Sequence, residues 1–346
     1  MDAADRKVYT KQFYSRQTIL KELCVQGQEK LSKAKVAVVG VGGLGSVSSL
    51  YLALAGVGYI RVIDQDTVET HNLHRQILYN PDDLYYPKAE VAAKKLQKQN
   101  PLIQVEAASE NVNVDNVERL LSDVDVVVDG LDNMQTRNII NSACVKLRVP
   151  YIFGAAIGLQ GNLSVFDPPE TGCLECLMPS SNTSVDQTCN TVGVLGATTG
   201  ILGSLQAMET IKLLTGIGET LKGKLMVCDF RDMDFTSVPI ARNPRCPVCH
   251  TELPQAGAGD RLVWLCGKDT ANINPEKPLK LALDEIYPRI KQQFEVRLRS
   301  QLALMFTYKS YEVSLFNGGR MLIKGVKEEK TALATYREIL EKITVG

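Results

Sequence analysis

Two Cys-x-x-Cys knuckles, Cys173/Cys176 and Cys246/Cys249, constrain this chain more than any other feature. Each supplies two thiolates at a spacing that turns both sulfurs toward one tetrahedral ion, and zinc is the usual occupant. Neither pair fills four coordination positions, so residues 177–245 must fold back to join them. The spacing predicts one closed structural Zn2+ site with ligands Cys173, Cys176, Cys246 and Cys249. The chain holds nine cysteines, too many to read as disulfides if its thiols stay reduced. Cys24, Cys144, Cys228 and Cys266 sit in apolar surroundings and read as small core residues. Cys189 instead lies in a polar stretch.

Lys+Arg and Asp+Glu are both 39 in 346 residues, so no global charge points to nucleic acid or to a membrane surface. There is no apolar signal segment and no run long enough to span a bilayer, and the cytoplasm is the expected compartment. The length suits one large α/β domain and a smaller one.

Residues 9–32 read as one amphipathic helix. Lys35–Val39 is a buried strand running into the glycine-rich turn Gly40-Val-Gly-Gly-Leu-Gly-Ser46. Beyond it, strands near 59–63, 103–107 and 124–128 alternate with helices near 44–55, 88–99, 114–121 and 133–147. That alternation predicts a Rossmann-like, doubly wound, mostly parallel sheet. Strands 151–155 and 161–166 have the closer spacing of a pair. A polar loop over 178–190 feeds an apolar helix, 194–215, then a strand at 225–228, and the second knuckle closes a zinc-stapled extension. The expected domains are 1–253, a linker at 254–260, and a small α+β domain at 261–346. Within the last, strands are expected at 262–265, 303–308, 311–316 and 320–325, with helices near 279–292 and 328–343.

Gly40, Gly42 and Gly45 form a Gly-x-Gly-x-x-Gly between strand and helix, which lets a nucleotide approach backbone amides at a helix N-terminus. Asp64, at the end of the next strand, fits a carboxylate that accepts from ribose hydroxyls, which NAD and ATP both present. Arg75, in Asn72-Leu-His-Arg75, and Lys88 would bring two cations to the turn, as a triphosphate and a leaving pyrophosphate need. Asp132, in Asp129-Gly-Leu-Asp-Asn133, suits Mg2+ held mainly through phosphates and water. An NAD-linked oxidoreductase shares the glycine turn but needs neither the cations nor the magnesium carboxylate.

The order Arg16, Gly40-x-Gly42-Gly43-x-Gly45, Asp64-x-Asp66, Asn72-x-x-Arg75, Lys88, Asp132-Asn133, Thr188-Cys189 between two knuckles resembles the ubiquitin-activating enzyme family. It is most similar to adenylyltransferases of the MoeB/ThiF type. Gly203-Ser-Leu-Gln-Ala-Met-Glu-Thr-Ile-Lys212 and Arg242-Asn-Pro-Arg-Cys246 extend the resemblance, which covers about residues 9–250. It implies adenylation of the C-terminal glycine of a ubiquitin-fold protein ending in Gly-Gly, with ATP consumed and pyrophosphate released. By the same resemblance Asp64 holds the ribose, Asn72, Arg75 and Lys88 the phosphates, and Asp132 the magnesium. Arg16 matches an arginine delivered from a partner subunit, which implies a homodimer with composite sites. Cys189 matches a cysteine that attacks the acyl-adenylate or carries an acyl-persulfide. A thiol just before an apolar helix gains from that helix's positive end.

Two outcomes share the adenylate. One is thioester transfer through Cys189 toward protein conjugation with a conjugating enzyme. The other is sulfur-carrier chemistry of the molybdopterin, thiamine or tRNA-thiolation kind, which hands the adenylate to a separate sulfur donor. Conjugation is the main expectation here. Residues 260–346 do not match the short MoeB or ThiF chain, and the region reads equally as a recruitment or a packing module.

Overall fold

A computed structural model describes residues 3–179, 193–250, 262–264, 269–275, 279, 281–300 and 302–344. Strand β1 (Lys35–Val39) lies between β2 (Tyr59–Ile63) and β4 (Val126–Asp129), parallel to both. Outside them, β3 (Gln104–Ala108) and β5 (Tyr151–Ile157) continue the parallel sheet. The sheet then turns antiparallel through β6 (Gln160–Phe166), β7 (Lys224–Asp229) and β8 (Asp234–Pro239), giving the order β3-β2-β1-β4-β5-β6-β7-β8.

The apolar run of β1 follows from cover on both faces. Val36 and Val38 pack on one side with Leu52 of α4 (Gly43–Ala55), Leu96 of α5 (Lys88–Gln99) and Leu202 of the long helix Gly196–Thr215. Ala37 and Val39 pack on the other with Leu120 of α6 (Val117–Leu121) and Ile140 of α7 (Met134–Leu147). The doubly wound expectation is met. Strand β8, exposed along its whole length, had no apolar pattern to announce it.

The single helix expected over 9–32 is instead three: α1 (Ala3–Phe13), α2 (Ser15–Thr18) and α3 (Cys24–Lys33). The chain turns at Tyr14, which is buried and whose hydroxyl accepts from Asn100 Nδ2 at 2.7 Å. It turns again at Cys24, whose φ of 48° is left-handed. These turns let Gln17 and Gln28 both donate to Ala55 O, at 2.8 and 3.1 Å, and so cap the C-terminal end of α4. Cys144 and Cys228 are buried as core residues, whereas Cys24 is only half-buried.

The C-terminal region forms a second, antiparallel sheet from β9 (Leu262–Trp264), β10 (Thr270–Ile273), β11 (Glu295–Arg299), β12 (Ala303–Tyr308), β13 (Tyr311–Phe316) and β14 (Met321–Lys324). Their order across the sheet is β11-β12-β13-β14-β10-β9. Helices Leu283–Gln293 and Glu329–Thr344 cover one face, burying Ile290, Tyr336 and Ile339 against Phe306 and Leu315. The strands expected from sequence at 262–265, 303–308, 311–316 and 320–325 are found. Strands β10 and β11 were not expected. The first is short with a buried Asn272, and the second is a charge-alternating edge. The linker at 254–260, Cys189 with its loop from residue 180, and Cys266 lie outside the described residues. No helix of the described residues is long and apolar enough to cross a membrane.

Candidate active site and cysteine cluster

The glycine turn begins where β1 ends. Gly40 has a left-handed φ of 82°, and its carbonyl is pressed against two neighbours: a Cβ on Gly45 would lie 1.8 Å from it, and one on Gly130 2.0 Å. No side chain fits at these positions, so the turn after β1 and the turn after β4 touch backbone to backbone. Gly42 and Gly43 then open α4, presenting the free N–H groups of its first turn. Asp64 braces the arrangement. Its Oδ2 accepts from Val41 N and its Oδ1 from Asp66 N, each at 2.8 Å. Burial pushes the Asp64 carboxyl up to about 6, against the opposing pull of Lys88.

Lys88, the first residue of α5, is 5% exposed and donates its backbone N–H to Asp66 O at 2.9 Å. Its ammonium pairs with Asp66 Oδ2 at 3.1 Å. Burial alone would lower the Lys88 pKa, but Asp66, Asp64 and Asp132 outweigh it and raise it. Asn72 is buried at the end of the 3-10 turn Thr70–Asn72, where its Oδ1 accepts from Glu69 N at 3.3 Å. Arg75 is half-buried; it donates to His71 O at 2.8 Å and forms no ion pair among the described residues. Asp132 is exposed, and Asn133 caps α7 by accepting from Thr136 N at 2.9 Å. The strand ends thus gather Asp64, Asp66, Lys88 and Asp132 around the turn, with a buried cation at the centre.

Sequence reasoning missed the support beneath Asp132. Arg137, 6% exposed, donates to Asp129 Oδ2 at 2.9 Å, Leu131 O at 2.6 Å and Gly154 O at 2.8 Å. Tyr151 OH donates to the same Asp129 oxygen at 2.8 Å, and Gln206 Nε2 to Asp129 O at 2.6 Å. This network fixes the turn that carries Asp132. Asp129, opening the same motif, was the available signal; its partners come from three separate elements.

Arg16 is not brought to this site within its own chain. It is exposed on α2, which caps the far end of α4 through Gln17. Thirteen helical residues separate that end from the glycine turn, about 20 Å at the rise of an α-helix.

The four knuckle cysteines do meet. Cys173 Sγ lies 4.0 Å from Cys176 Sγ and 3.7 Å from Cys246 Sγ, and Cys176 Sγ lies 3.7 Å from Cys249 Sγ. All four sulfurs fall within 4.8 Å of one another. Zinc–sulfur bonds of about 2.3 Å require tetrahedral edges of about 3.8 Å, so the cluster has the dimensions of a four-thiolate zinc site. Burial pushes the Cys173 thiol up to about 11, and a cation is what would make the set anionic. The cluster is tied to α7, where Asn141 Oδ1 accepts from Leu174 N at 2.9 Å.

Fold and site together define an α/β nucleotide-binding protein whose sheet is extended and closed by a four-cysteine staple. Residues 14–248 match the model of the ThiF family. The chain belongs to that family, of the MoeB/ThiF adenylyltransferase type, and carries an additional C-terminal domain. It is 43% identical over 237 residues to the sulfur carrier protein ThiS adenylyltransferase of Escherichia coli (strain K12), covering 68% of this chain and 94% of that protein. A sulfur carrier protein adenylyltransferase of Thermus thermophilus is 43% identical over 248 residues, with 70% and 92% covered. The adenylyltransferase and sulfurtransferase MOCS3 of Culex quinquefasciatus is 43% identical over 238 residues, covering 68% of this chain but 54% of that longer protein. Among solved structures, Escherichia coli MccB crystallised with ATP superposes with a TM-score of 0.58 at 27% identity, covering 65% of this chain and 68% of that one.

Proposed function

We propose that this chain uses ATP to adenylate the C-terminal glycine of a ubiquitin-fold sulfur-carrier protein. The reading is carried by the cluster of Lys88 with Asp64, Asp66 and Asp132 at the glycine turn. It occurs in a chain 43% identical to a ThiS adenylyltransferase over 94% of that protein. Those relatives favour the sulfur-carrier branch over the conjugation branch.

A carboxylate is a poor acyl donor at neutral pH. In the proposed reaction a carboxylate oxygen attacks the α-phosphorus of ATP, the bond to the bridging α–β oxygen breaks, and pyrophosphate leaves with that electron pair. The acyl-adenylate then presents a carbonyl with AMP as leaving group to an incoming sulfur nucleophile. Asp64 would accept from the ribose hydroxyls, with Asp66 beside it. Lys88, Arg75 and Asn72 would meet the phosphates, and two cations there would oppose the charge that builds as pyrophosphate departs. Asp132, flanked by Asn133, would hold Mg2+, which supplies further positive charge to the phosphates. Cys173, Cys176, Cys246 and Cys249 would hold a structural Zn2+ with no open position. The distance between Arg16 and its own glycine turn supports a homodimer in which Arg16 reaches the partner's site. Cys189 is assigned to the sulfur-transfer step after adenylation, and the sulfur donor is a separate protein.

ATP–pyrophosphate exchange tests the reading directly. Exchange should require a carrier ending in Gly-Gly and vanish when its last glycine is removed. Exchange that ignores the carrier would overturn the assignment. Heterodimers of Arg16→Ala and Asp132→Ala chains should recover part of the activity, because one composite site stays intact.

A further inference from the structure

The second sheet does not merely follow the first along the chain; it is seated on the nucleotide edge. The β13–β14 hairpin turns through Asn317-Gly-Gly319, with Gly319 at φ 82°, and delivers Arg320 just before β14. Arg320 is 4% exposed. Its guanidinium stacks on Phe316 at 3.6 Å, and one NH2 group donates to Asn272 Oδ1 at 3.3 Å. The other donates across the junction to Ser109 O, also at 3.3 Å. Ser109 is the residue after β3, and Asn272 in turn donates to Gln65 Oε1 at 3.3 Å, between Asp64 and Asp66. A second pair of contacts flanks this one. Lys324 approaches Glu69 at 4.0 Å, and Leu302 N donates to Glu90 Oε2 at 3.4 Å on α5.

The electrostatics of this junction are unusual. Arg320 makes no ion pair among the described residues, and its Nε is buried without a partner there, as is Ser109 Oγ. A desolvated guanidinium held only by neutral acceptors is costly. Burial lowers the Arg320 pKa to about 9, offset in part by Asp66, Asp64 and Glu110. Two of those three opposing charges, Asp64 and Asp66, lie at the strand end beside the glycine turn. In an open α/β sheet, ligands sit in the crevice outside those same strand ends.

We propose that Arg320 is a positioning residue for the nucleotide, through which the seating of the C-terminal sheet and the binding of ATP are linked. It holds the segment after β3 at Ser109 O and, through Asn272, holds Gln65, the residue between Asp64 and Asp66. This rests on the reading that Asp64 faces the nucleotide. Linkage is reciprocal, so whatever factor the seated sheet adds to ATP affinity, ATP must add to the seating.

The experiment uses the full chain and its Gly-Gly carrier. Arg320→Met should raise the KM for ATP in pyrophosphate exchange by about tenfold with little change in kcat, within the usual range of site-to-site coupling. Arg320→Lys should recover part of that loss, because it returns a cationic donor within reach of Ser109 O and Asn272 Oδ1. A non-hydrolysable ATP analogue should slow hydrogen exchange in β10 and β14 of the wild type but not of Arg320→Met. Should Arg320→Met fail to fold, Asn272→Leu carries the same expectation at smaller size. Wild-type KM in Arg320→Met, or in Asn272→Leu where only that variant folds, overturns the proposal, as does analogue-independent exchange in the wild-type strands. Asp64→Ala separates the two levels. If it loses ATP while Arg320→Met does not, only the linkage fails; if it too keeps wild-type affinity, the nucleotide reading fails with it.

Discussion

Arg137 and Arg320 are both almost fully buried, yet their surroundings are opposite. Arg137 lies inside one packed body and is matched: a carboxylate at 2.9 Å and two carbonyls at 2.6 and 2.8 Å take up its charge. Asp129 raises its pKa despite burial. Arg320 lies where two sheets meet, has only neutral acceptors at 3.3 Å, and its pKa falls. A cation within one core can be surrounded by groups fixed around it. A cation at a junction depends on groups from both bodies, and here two of its three opposing charges, Asp64 and Asp66, sit beside the glycine turn.

Substitution should separate the two most sharply. Arg137→Met leaves Asp129 buried without its cation and should cost about 3–5 kcal/mol, the scale of a broken buried pair, read as a lowered denaturant midpoint. Burial already raises the Asp129 pKa, and the loss of Arg137 raises it further. The penalty should therefore be largest at neutral pH and fade as the pH falls and the carboxyl takes up a proton.

Lys88 is a third buried cation, matched like Arg137 but at the proposed site of chemistry. Lys88→Ala should reduce carrier-dependent pyrophosphate exchange by roughly a hundredfold or more. Exchange near the wild-type rate would place Lys88 with Arg137 as a structural cation. Acidity probes the carboxylate that Lys88 faces. Burial raises the Asp64 carboxyl to about 6, so kcat/KM for ATP should fall below that pH, approaching about tenfold per unit, because a protonated Asp64 is a poorer acceptor for the ribose hydroxyls. Folding runs the other way. A carboxyl raised from 3.8 to about 6 favours the folded state at low pH, and that contribution is lost as the pH rises through the same window. The smallest effect is expected at the junction. Arg320→Met should cost no more than about 1 kcal/mol of stability, since it removes an unpaired buried charge. A loss as large as that of Arg137→Met would erase the contrast between the two arginines.

Much of the site could be read from spacing, because spacing is what its local geometry depends on. Gly40, Gly42 and Gly45 answer to one turn, and their offsets are set within six residues of chain. A Cys-x-x-Cys knuckle likewise aims two sulfurs by itself, and the only tertiary question left was whether the knuckles meet. The central strands β1 and β4 were legible for a related reason: burial on both faces favours runs rich in valine. Strands β8 and β11 lack that demand. Largely exposed edge strands leave their residues free to be polar.

Local sequence was enough for the glycine turn, the strand-end carboxylate at Asp64, the pairing of cysteines into knuckles, and the alternation that makes the first sheet. Each is a property of a few consecutive residues. Packing was needed to break the N-terminal segment at Tyr14 and Cys24 so that it caps α4, to lock Asp129 with Arg137, Tyr151 and Gln206, and to bring Arg320 to Ser109. Those outcomes depend on groups far apart in the chain arriving at one place. An arginine's type does not reveal whether its charge will meet water, a carboxylate or the edge of another sheet, because the cost of burying it is set by whatever surrounds it after folding.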